Sequence, residues 1–381
     1  MLPTNNTRMN MKAILLSLSL LLTSCASQGH REATLKSALA DKFHIGTALN
    51  SWQIAQRDTM AHEVITRHFN AIVPENCMKS MYLQPREGVF RFDEADAFVR
   101  FGEEHDMHIT GHCLIWHSQL PHWFLTDNDG NDVSPEILRQ RMRAHISTVV
   151  GRYKGRVKGW DVVNEAIMED GSYRRSKFHE ILGEEFIPLA FQYAHEADPD
   201  AELYYNDYNM YFPGKRDAVC RLVSELKARG LRIDAVGMQG HVDMYHPSLE
   251  EFEASIDAFA NAGVKVMITE FDMSALPSPW QSANLSDTLS YEQRMNPYTQ
   301  GLPESVSIQW NERMMQYMQL FIDHADNITR VTLWGVNDAT SWKNNFPIRG
   351  RTDYPLLFDR QYQPKPVVNA LIKQLNNENI H

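Results

Sequence analysis

Eight apolar runs of strand length recur along this chain, and longer amphipathic stretches separate them. The runs are Phe43–Asn50, Asn70–Asn76, His108–Trp116, Val157–Ala166, Glu202–Asn209, Ala235–Val242, Lys265–Asp272 and Thr329–Val336. Successive runs lie about 41 residues apart on average, which leaves room for a strand, a helix and two loops in each repeat. Eight such units with apolar strands predict a single-domain α/β fold, the (β/α)8 or TIM barrel.

The stretches between the runs carry signals that are typical of helix ends. Ser134 precedes Pro135, which is an N-cap followed by proline at the first helical position. Ser248 and Glu251 form a capping-box pattern, and we expect Gly263 to end the helix that follows. An open doubly wound sheet is the alternative fold, but no glycine-rich phosphate-binding turn follows the first run.

One segment interrupts this alternation. Residues 274–307 contain four prolines and little hydrophobic periodicity, so we expect a long loop after the seventh strand. Because the loops that follow the strands of a barrel line its active face, we expect part of this segment at the rim of a cleft.

The N-terminus has the pattern of an export signal. Arg8 and Lys12 supply positive charge, and residues 13–22 form an apolar stretch that is too short to span a bilayer. The run Leu22-Thr23-Ser24-Cys25 resembles a bacterial lipobox, whose cysteine becomes the lipidated first residue. We therefore predict a cleaved lipoprotein-type signal peptide at residues 1–24, lipidation of Cys25, a linker at residues 25–39 and the barrel domain at residues 40–378.

This prediction makes the protein an exported lipoprotein that is anchored to a membrane, in the periplasm or at the cell surface. The alternative is an ordinary signal peptide cut near Ala26 or Ser27, which would give a secreted protein. Three further cysteines, at positions 77, 113 and 220, have no paired spacing, so we expect no disulfide framework.

Composition narrows the range of partners. The formal charge of −11 and the lack of basic blocks argue against binding to nucleic acid or to an anionic membrane surface, whereas a neutral polymer is acceptable. Four histidines, His108, His112, His117 and His122, lie close together in sequence but lack the helical His-Glu-x-x-His spacing of a zinc site. We expect no metal, no cofactor and, since no interface stripe stands out, a monomer.

Polar and aromatic side chains gather at the C-terminal ends of the apolar runs. They are Glu75, Asn76, Lys79, His112, Trp116, His117, Gln119, Asn164, Glu165, Asn206, Asp207, Tyr208, Gln239, His241, Glu270, Asp272, Trp334, Asp338 and Trp342. In a parallel barrel all of these ends emerge on one face. Converging carboxylates, amides and indoles suit a sugar, whose hydroxyl groups need hydrogen bonds and whose C–H faces stack on aromatic rings.

Glu165 and Glu270 are the candidate catalytic pair. Each ends an apolar run, where a carboxylate without a role would be costly to bury. Two carboxyl groups that meet over a sugar are what glycosidic bond cleavage needs, at a separation of about 5 to 5.5 Å in a retaining enzyme. At that distance they repel by about 3 kcal/mol at an effective dielectric of 20, so they hold one proton between them near neutral pH.

Five motifs follow one another in a characteristic order. They are His112–Pro121, Trp160–Ala166, Tyr205–Asn209, Gln239–His241 and Ile268–Asp272. Together they make about residues 40–375 similar to glycoside hydrolase family 10, the endo-1,4-β-xylanases. The resemblance implies endo-acting, retaining hydrolysis of β-1,4-xylosidic linkages in xylan and xylo-oligosaccharides. It also implies that Glu165 is the general acid/base and Glu270 the nucleophile of a double displacement.

The resemblance further implies which residues bind substrate. They are Glu75, Asn76, Lys79, His112, Trp116, Gln119, Asn164, Tyr208, Gln239, His241, Trp334 and Trp342. Those before Asn164, with Trp334 and Trp342, belong to the glycone side of the cleaved bond, and Tyr208 stacks on the leaving side. We expect Asn164 to contact the substrate 2-hydroxyl. The resemblance implies that His241 contacts the nucleophile and that Asp272 fixes its ring.

Two other functions stay open on the sequence alone. Another retaining barrel glycosidase, a cellulase or a mannanase, would share the two glutamates and differ in the crowding near Trp334 and Trp342. A surface lipoprotein that only captures glycans would be expected to have lost one of the glutamates or their partners, and none is replaced here.

Overall fold

The computed structural model describes residues 33–277 and 295–378 of the 381-residue chain. The predicted signal peptide at residues 1–24, the predicted lipidation site Cys25 and the middle of the 274–307 segment lie outside the described residues. Among the helices of the described part, none combines the length and the apolar character that crossing a membrane requires.

The described residues form nine parallel strands that confirm the predicted barrel. The strands are β1 (His44–Leu49), β2 (Ala71–Pro74), β3 (His108–Trp116), β4 (Gly159–Asn164), β5 (Glu202–Asp207), β6 (Ala235–Met238), β7 (His241–Asp243), β8 (Lys265–Ser274) and β9 (Ile328–Leu333). Strands β1 to β6 pair in chain order, β6 pairs with β8, and β9 pairs with both β8 and β1, so eight strands close into a ring.

The predicted run Ala235–Val242 is divided in the structure into β6 and the short β7. The break falls at Gln239 and Gly240, where Gly240 has a φ of +77°, a conformation that favours glycine. Gln239 still accepts a hydrogen bond from the Glu270 backbone N–H at 2.8 Å, so the chain stays attached to β8. The turn then sets His241 opposite Asp272 in the β7–β8 register.

Helices surround the barrel. Their bounds are Leu35–Ala38, Ser51–Ile54, Thr59–His68, Ser80–Leu83, Asp93–Glu104, Pro135–Arg152, Lys177–Leu182, Phe186–Ala197, Pro213–Ala228, Leu249–Asn261, Glu304–Asp323 and Pro366–Glu378. The predicted caps are confirmed, because Ser134 and Ser248 accept hydrogen bonds from backbone N–H groups of the helices that they precede. The helix that begins at Glu304 starts within the segment predicted as a loop up to Ser307, so that boundary was wrong.

The N-terminal boundary predicted at residue 40 also falls inside the folded unit. The helix Leu35–Ala38 begins with a capping box formed by Thr34 and Ser37. Leu35 and Leu39 are fully buried in the main hydrophobic core. This helix of four residues is too short to give a periodic pattern in the sequence, yet the burial of these leucines makes it part of the domain.

Close packing around the barrel strands depends on two glycines next to large aromatic rings. A Cβ atom at Gly111 of β3 would lie 2.1 Å from a ring carbon of Trp160, and one at Gly159 of β4 would lie 2.1 Å from the Tyr204 hydroxyl. Trp160 and Tyr204 are both buried. The missing side chains leave the space that these rings fill.

We expect Gly111→Ala to lower the free energy of unfolding by about 1–3 kcal/mol, because the added methyl overpacks Trp160. The matched control is Gly151→Ala, at a helical glycine that has no atoms within 4 Å of the new Cβ. That variant should be about 0.5–1 kcal/mol more stable than the parent, since alanine is the better helix former. Urea unfolding of both variants tests this, and equal stabilities would contradict it.

Candidate active site

The two predicted catalytic glutamates emerge on the same face of the barrel. Glu165 follows the last residue of β4, and Glu270 lies in the C-terminal half of β8. Glu270 is buried with 5% of its surface exposed, whereas Glu165 is half-buried. The sheet therefore presents one sheltered carboxylate and one that is more accessible.

A chain of side-chain amides connects the two carboxylates. The Asn206 amide donates to Glu270 Oε1 and to Asn164 Oδ1, each at 2.9 Å. The Gln239 amide donates to Asn164 Oδ1 at 3.3 Å and to Glu165 Oε1 at 3.0 Å. The Asn164 amide donates to Glu165 Oε1 at 3.3 Å. These bonds, which come from three different strand ends, bring the predicted pair into one polar network.

Glu165 is held through both its side chain and its backbone. The indole N–H of Trp116 donates to Glu165 Oε2 at 2.8 Å. Glu165 has a φ of +59°, a left-handed conformation that costs of order 1 kcal/mol for a residue with a side chain. Its backbone N–H donates to the Asn206 carbonyl at 2.9 Å, and its carbonyl accepts from Arg174 Nε at 2.8 Å. These bonds offset the strain and aim the carboxylate into the site.

Glu270 is surrounded by groups that favour its charged form. His241 Nε2 lies 3.2 Å from Glu270 Oε2, and the Asn206 amide binds the other oxygen. Burial alone would raise the pKa of Glu270, but hydrogen bonds from His241 and Asn206 bring this pKa below its ordinary value. The buried carboxyl group is therefore ionised at neutral pH, which the role predicted for it would require.

His241 is in turn held as a cation. Its Nδ1 lies 3.0 Å from Asp272 Oδ2. Burial alone would lower the pKa of His241, but Asp272 and Glu270 outweigh it and raise this pKa to about 9. Asp272 also accepts a hydrogen bond from the Trp342 indole at 2.7 Å, and Lys343 Nζ lies 3.4 Å from its other oxygen. With both ring nitrogens protonated, His241 donates to Glu270, and the predicted role of Asp272 in fixing the ring agrees with this geometry.

Four of the predicted binding residues form a second polar cluster after β2 and β3. Lys79 Nζ donates to Asn76 Oδ1 at 3.1 Å and to Gln119 Oε1 at 2.7 Å. The Gln119 amide donates to Asn76 at 3.2 Å, and the Asn76 amide lies 3.5 Å from Glu75 Oε1. Burial lowers the pKa of Lys79 and raises that of Glu75. The cluster offers cationic, amide and carboxyl groups to the hydroxyl groups of a sugar.

Aromatic rings border this polar surface. His112 donates from Nδ1 to Asp161 at 2.8 Å, and its ring meets Trp334 edge-on with centroids 5.4 Å apart. Trp334 is 8% exposed and forms a small apolar cluster with Ala48 and Val73. The partly buried Trp342 packs against this cluster. Phe346 stacks on Trp342 with centroids 5.2 Å apart. The indoles thus border the polar surface at the ends of the strands, and their predicted role as walls of a sugar subsite stays a prediction.

Tyr208 contacts neither glutamate. Its hydroxyl accepts a hydrogen bond from Arg174 Nη2 at 2.6 Å, and Arg174 also binds the Glu165 carbonyl. Sequence reasoning missed Arg174, which lies in an irregular loop where no pattern marks it. It listed Asn206 among the strand-end residues without giving it a role. It left out Thr269, whose hydroxyl donates to Asn206 Oδ1 at 2.6 Å and so orients the amide.

No group of three or more His, Cys, Asp or Glu side chains within residues 33–277 and 295–378 is arranged to hold a metal ion. This face of the barrel presents carboxylates, amides, a histidine cation and aromatic rings. A parallel barrel with two carboxylates in such a setting defines the class of barrel glycoside hydrolases.

The comparisons with known proteins identify the family. The profile of glycosyl hydrolase family 10 matches residues 34–374, and the chain belongs to this family. It is 48% identical over 358 residues to endo-1,4-β-xylanase A of Xylanibacter ruminicola, covering 93% of this chain and 97% of the relative. It is 40% identical over 340 residues to an endo-1,4-β-xylanase of Geobacillus stearothermophilus, covering 87% and 96%.

A solved structure agrees with this assignment. The structure of a GH10 endoxylanase retrieved from a sugarcane soil metagenome has a TM-score of 0.85 and 43% sequence identity, and it covers 90% of this chain and 99% of its own. The family resemblance inferred from the five motifs is therefore confirmed, and the protein is a glycoside hydrolase.

The contact between His241 and Glu270 has a measurable consequence for pH dependence. In His241→Gln, the cation that lowers the pKa of Glu270 is lost, so this pKa rises. We expect the acid limb of the kcat/KM profile, which reports ionisation of the free enzyme, to move to higher pH.

A histidine elsewhere provides the control for this measurement. His324 lies 3.0 Å from Glu253 and 3.6 Å from Asp257 on the outside of the barrel. His324→Gln should leave the acid limb in place. An unmoved acid limb in His241→Gln would show that His241 does not set the ionisation of Glu270.

Proposed function

We propose that this family 10 enzyme is an endo-1,4-β-xylanase that cleaves xylan with retention, through Glu270 as nucleophile and Glu165 as general acid/base. The observation that carries the proposal is the environment of Glu270, which is buried, ionised and hydrogen-bonded, and which shares an amide network with Glu165. The names of the relatives support xylan as the substrate.

In the first step, Glu270 attacks the anomeric carbon as the glycosidic bond breaks. Glu165 gives its proton to the departing oxygen, so the leaving sugar departs as a neutral alcohol. Asn164, which bonds to Glu165 and accepts from Asn206, is placed to bind the 2-hydroxyl of the reacting sugar. A hydrogen bond to that hydroxyl strengthens as positive charge develops on the ring.

In the second step, the covalent ester to Glu270 is hydrolysed. Esterification removes the charge of Glu270, which had stabilised the proton on Glu165, so Glu165 becomes a base and takes a proton from water. Water attacks the anomeric carbon, and Glu270 leaves as a carboxylate that His241 and Asn206 again stabilise. The product keeps the configuration of the substrate because the carbon is inverted twice.

The remaining predicted residues would hold the polymer. The cluster of Lys79, Asn76, Gln119 and Glu75 supplies hydrogen bonds on the glycone side, where Trp116, Trp334 and Trp342 supply apolar walls. Tyr208, fixed by Arg174, supplies a ring on the leaving side. Stacked rings together with hydroxyl partners on several strand ends suit a chain that extends through the cleft, as endo-cleavage requires.

Removal of each glutamate should give a different kinetic result. Glu270→Ala should lose activity by roughly 10⁴-fold or more on every substrate, because no covalent intermediate can form. Glu165→Ala should lose about 10²–10⁴-fold on xylan but less on an aryl xylobioside whose leaving group needs no proton. Azide should then restore turnover of Glu165→Ala by trapping the intermediate as a β-xylobiosyl azide.

Glu169→Ala is the matched control, because Glu169 follows the same strand but bonds to Asn209. It should keep the parent rate. If Glu270→Ala cleaves xylan as fast as the parent, the proposed nucleophile is refuted, and an α-configured first product seen by NMR would refute retention. Faster initial rates on cellulose or mannan than on xylan would overturn the choice of substrate.

We also propose that the mature protein is a lipoprotein, anchored through Cys25 after removal of residues 1–24. The support is the lipobox-like run Leu22-Thr23-Ser24-Cys25 behind a short apolar stretch. Xylan is a polymer that is too large to enter the cell, so an enzyme that cleaves it would have to be exported.

Detergent partitioning tests the anchor. The full-length protein, expressed in a bacterium with lipoprotein processing and labelled with a fatty acid, should carry the label and enter the detergent phase. Cys25→Ala should lose the label and remain in the aqueous phase, because a covalent lipid supplies most of the membrane affinity. Label that persists in Cys25→Ala would contradict the assignment.

A further inference from the structure

A groove of about 450 Å³ lies beside the proposed cleft and takes no part in the chemistry described so far. Its lining includes Asn50, Trp52, Arg57, Asp58, Met60 and Thr340. This volume falls within the range of small-ligand sites in proteins, about 300–1,000 Å³.

The groove exposes an aromatic ring on a rigid support. Trp52 is 64% exposed, although its neighbours Gln53 and Ile54 are buried. The Asn50 side chain accepts hydrogen bonds from the backbone N–H groups of Trp52 and Gln53, at 3.0 and 3.2 Å. The short helix Ser51–Ile54 is thereby fixed with the indole facing water. An indole held in this way is a platform on which the face of a sugar ring can stack.

Arg57 lies beside this ring, with its guanidinium 5.4 Å from the Trp52 ring centroid. Among residues 33–277 and 295–378, arginines such as Arg141, Arg216 and Arg232 pair with carboxylates, but Arg57 is in no ion pair. Asp58, the next residue, also lines the groove, and its two oxygens accept from the Ala61 N–H at 2.9 Å and from the Tyr362 hydroxyl. The donors of Arg57 are therefore available to a ligand.

The topology places the groove next to the glycone side of the cleft. Strand β1, which leads into Asn50, lies between β9 and β2 in the barrel. The backbone N–H of Glu75 donates to the Leu49 carbonyl at 3.0 Å, so the groove adjoins the Glu75 end of β2. On its other side, Thr340 precedes Trp342 by two residues. A substituent on a chain bound between Glu75 and Trp342 would lie over the groove.

We propose that this groove binds a uronic acid side group of xylan, with its ring on Trp52 and its carboxylate on Arg57. The inference rests on the proposed xylanase function and specifies which form of the polymer this enzyme prefers. A neutral sugar would stack on the indole and accept hydrogen bonds from the guanidinium, whereas an acidic sugar would also pair with its positive charge. Nucleic acid, the other common partner of an aromatic–arginine surface, is disfavoured by the net charge of −11.

The test compares variants on three substrates. They are a glucuronoxylan, the same polymer after its carboxyl groups have been reduced to alcohols, and an undecorated linear xylan. Arg57→Gln should lower kcat/KM on glucuronoxylan by about two- to fivefold, the range expected for one exposed charge pair, and leave the other two substrates unchanged. Arg57→Lys should keep most of the parent rate on glucuronoxylan because it keeps the charge.

The indole is tested separately. Trp52→Ala should lower kcat/KM on both decorated polymers, since stacking does not need the carboxylate, and Trp52→Phe should recover part of the loss. Arg100→Gln, at an exposed arginine of the helix Asp93–Glu104, is the control and should match the parent on all three substrates. Both Arg57 and Trp52 are exposed, so thermal unfolding should show that the variants fold like the parent.

Three results would overturn the inference. The first is an equal effect of Arg57→Gln on the acidic and the reduced polymer. The second is a loss in Trp52→Ala that is as large on undecorated xylan as on glucuronoxylan. The third is that both variants keep the parent rate on every substrate. In each case the parent still cleaves xylan and only the acidic side-group site fails. A parent that cleaves none of the three polymers would refute the proposed function itself, and the inference with it.

Discussion

The hydrogen bonds to the buried carboxylate of Glu270 are the interaction on which this site depends. A charged group with 5% exposure loses nearly all of its hydration, and only the protein can replace the lost interactions. Asn206 and His241 do so from two different strand ends, and they keep the pKa of Glu270 below its ordinary value. Without them burial would raise the pKa of Glu270 and favour the protonated form, which could not serve as the proposed nucleophile.

Strand register is what brings these partners into contact. Asn164 and Asn206 are direct neighbours in the β4–β5 ladder, so one side-chain amide can reach the other. The chain turns at Gly240, between β6 and β7, and this turn sets His241 opposite Asp272 of β8. The polar network is thus a product of backbone pairing, and the buried core of the barrel holds it in place because the strands cannot slip without displacing their apolar side chains.

The sequence predicted the parts of this site that local patterns determine. Apolar runs marked all eight barrel strands, and a carboxylate at the end of such a run marked both Glu165 and Glu270 as unusual. The bridging role of Asn206 and the contact of Arg174 with the Glu165 carbonyl depend on how distant segments align, which no local pattern encodes. The early helix at Leu35 and the start of the helix at Glu304 were missed because short or proline-preceded helix ends carry weak periodicity.

The backbone of Glu165 has a further implication for the order of events during turnover. Its N–H and its carbonyl are both committed, to Asn206 and Arg174, and its left-handed conformation leaves little freedom for the main chain to shift. In the proposed mechanism one carboxyl group therefore serves both steps from the same backbone position. The hydrolytic water would then have to approach from the side on which the first sugar departed.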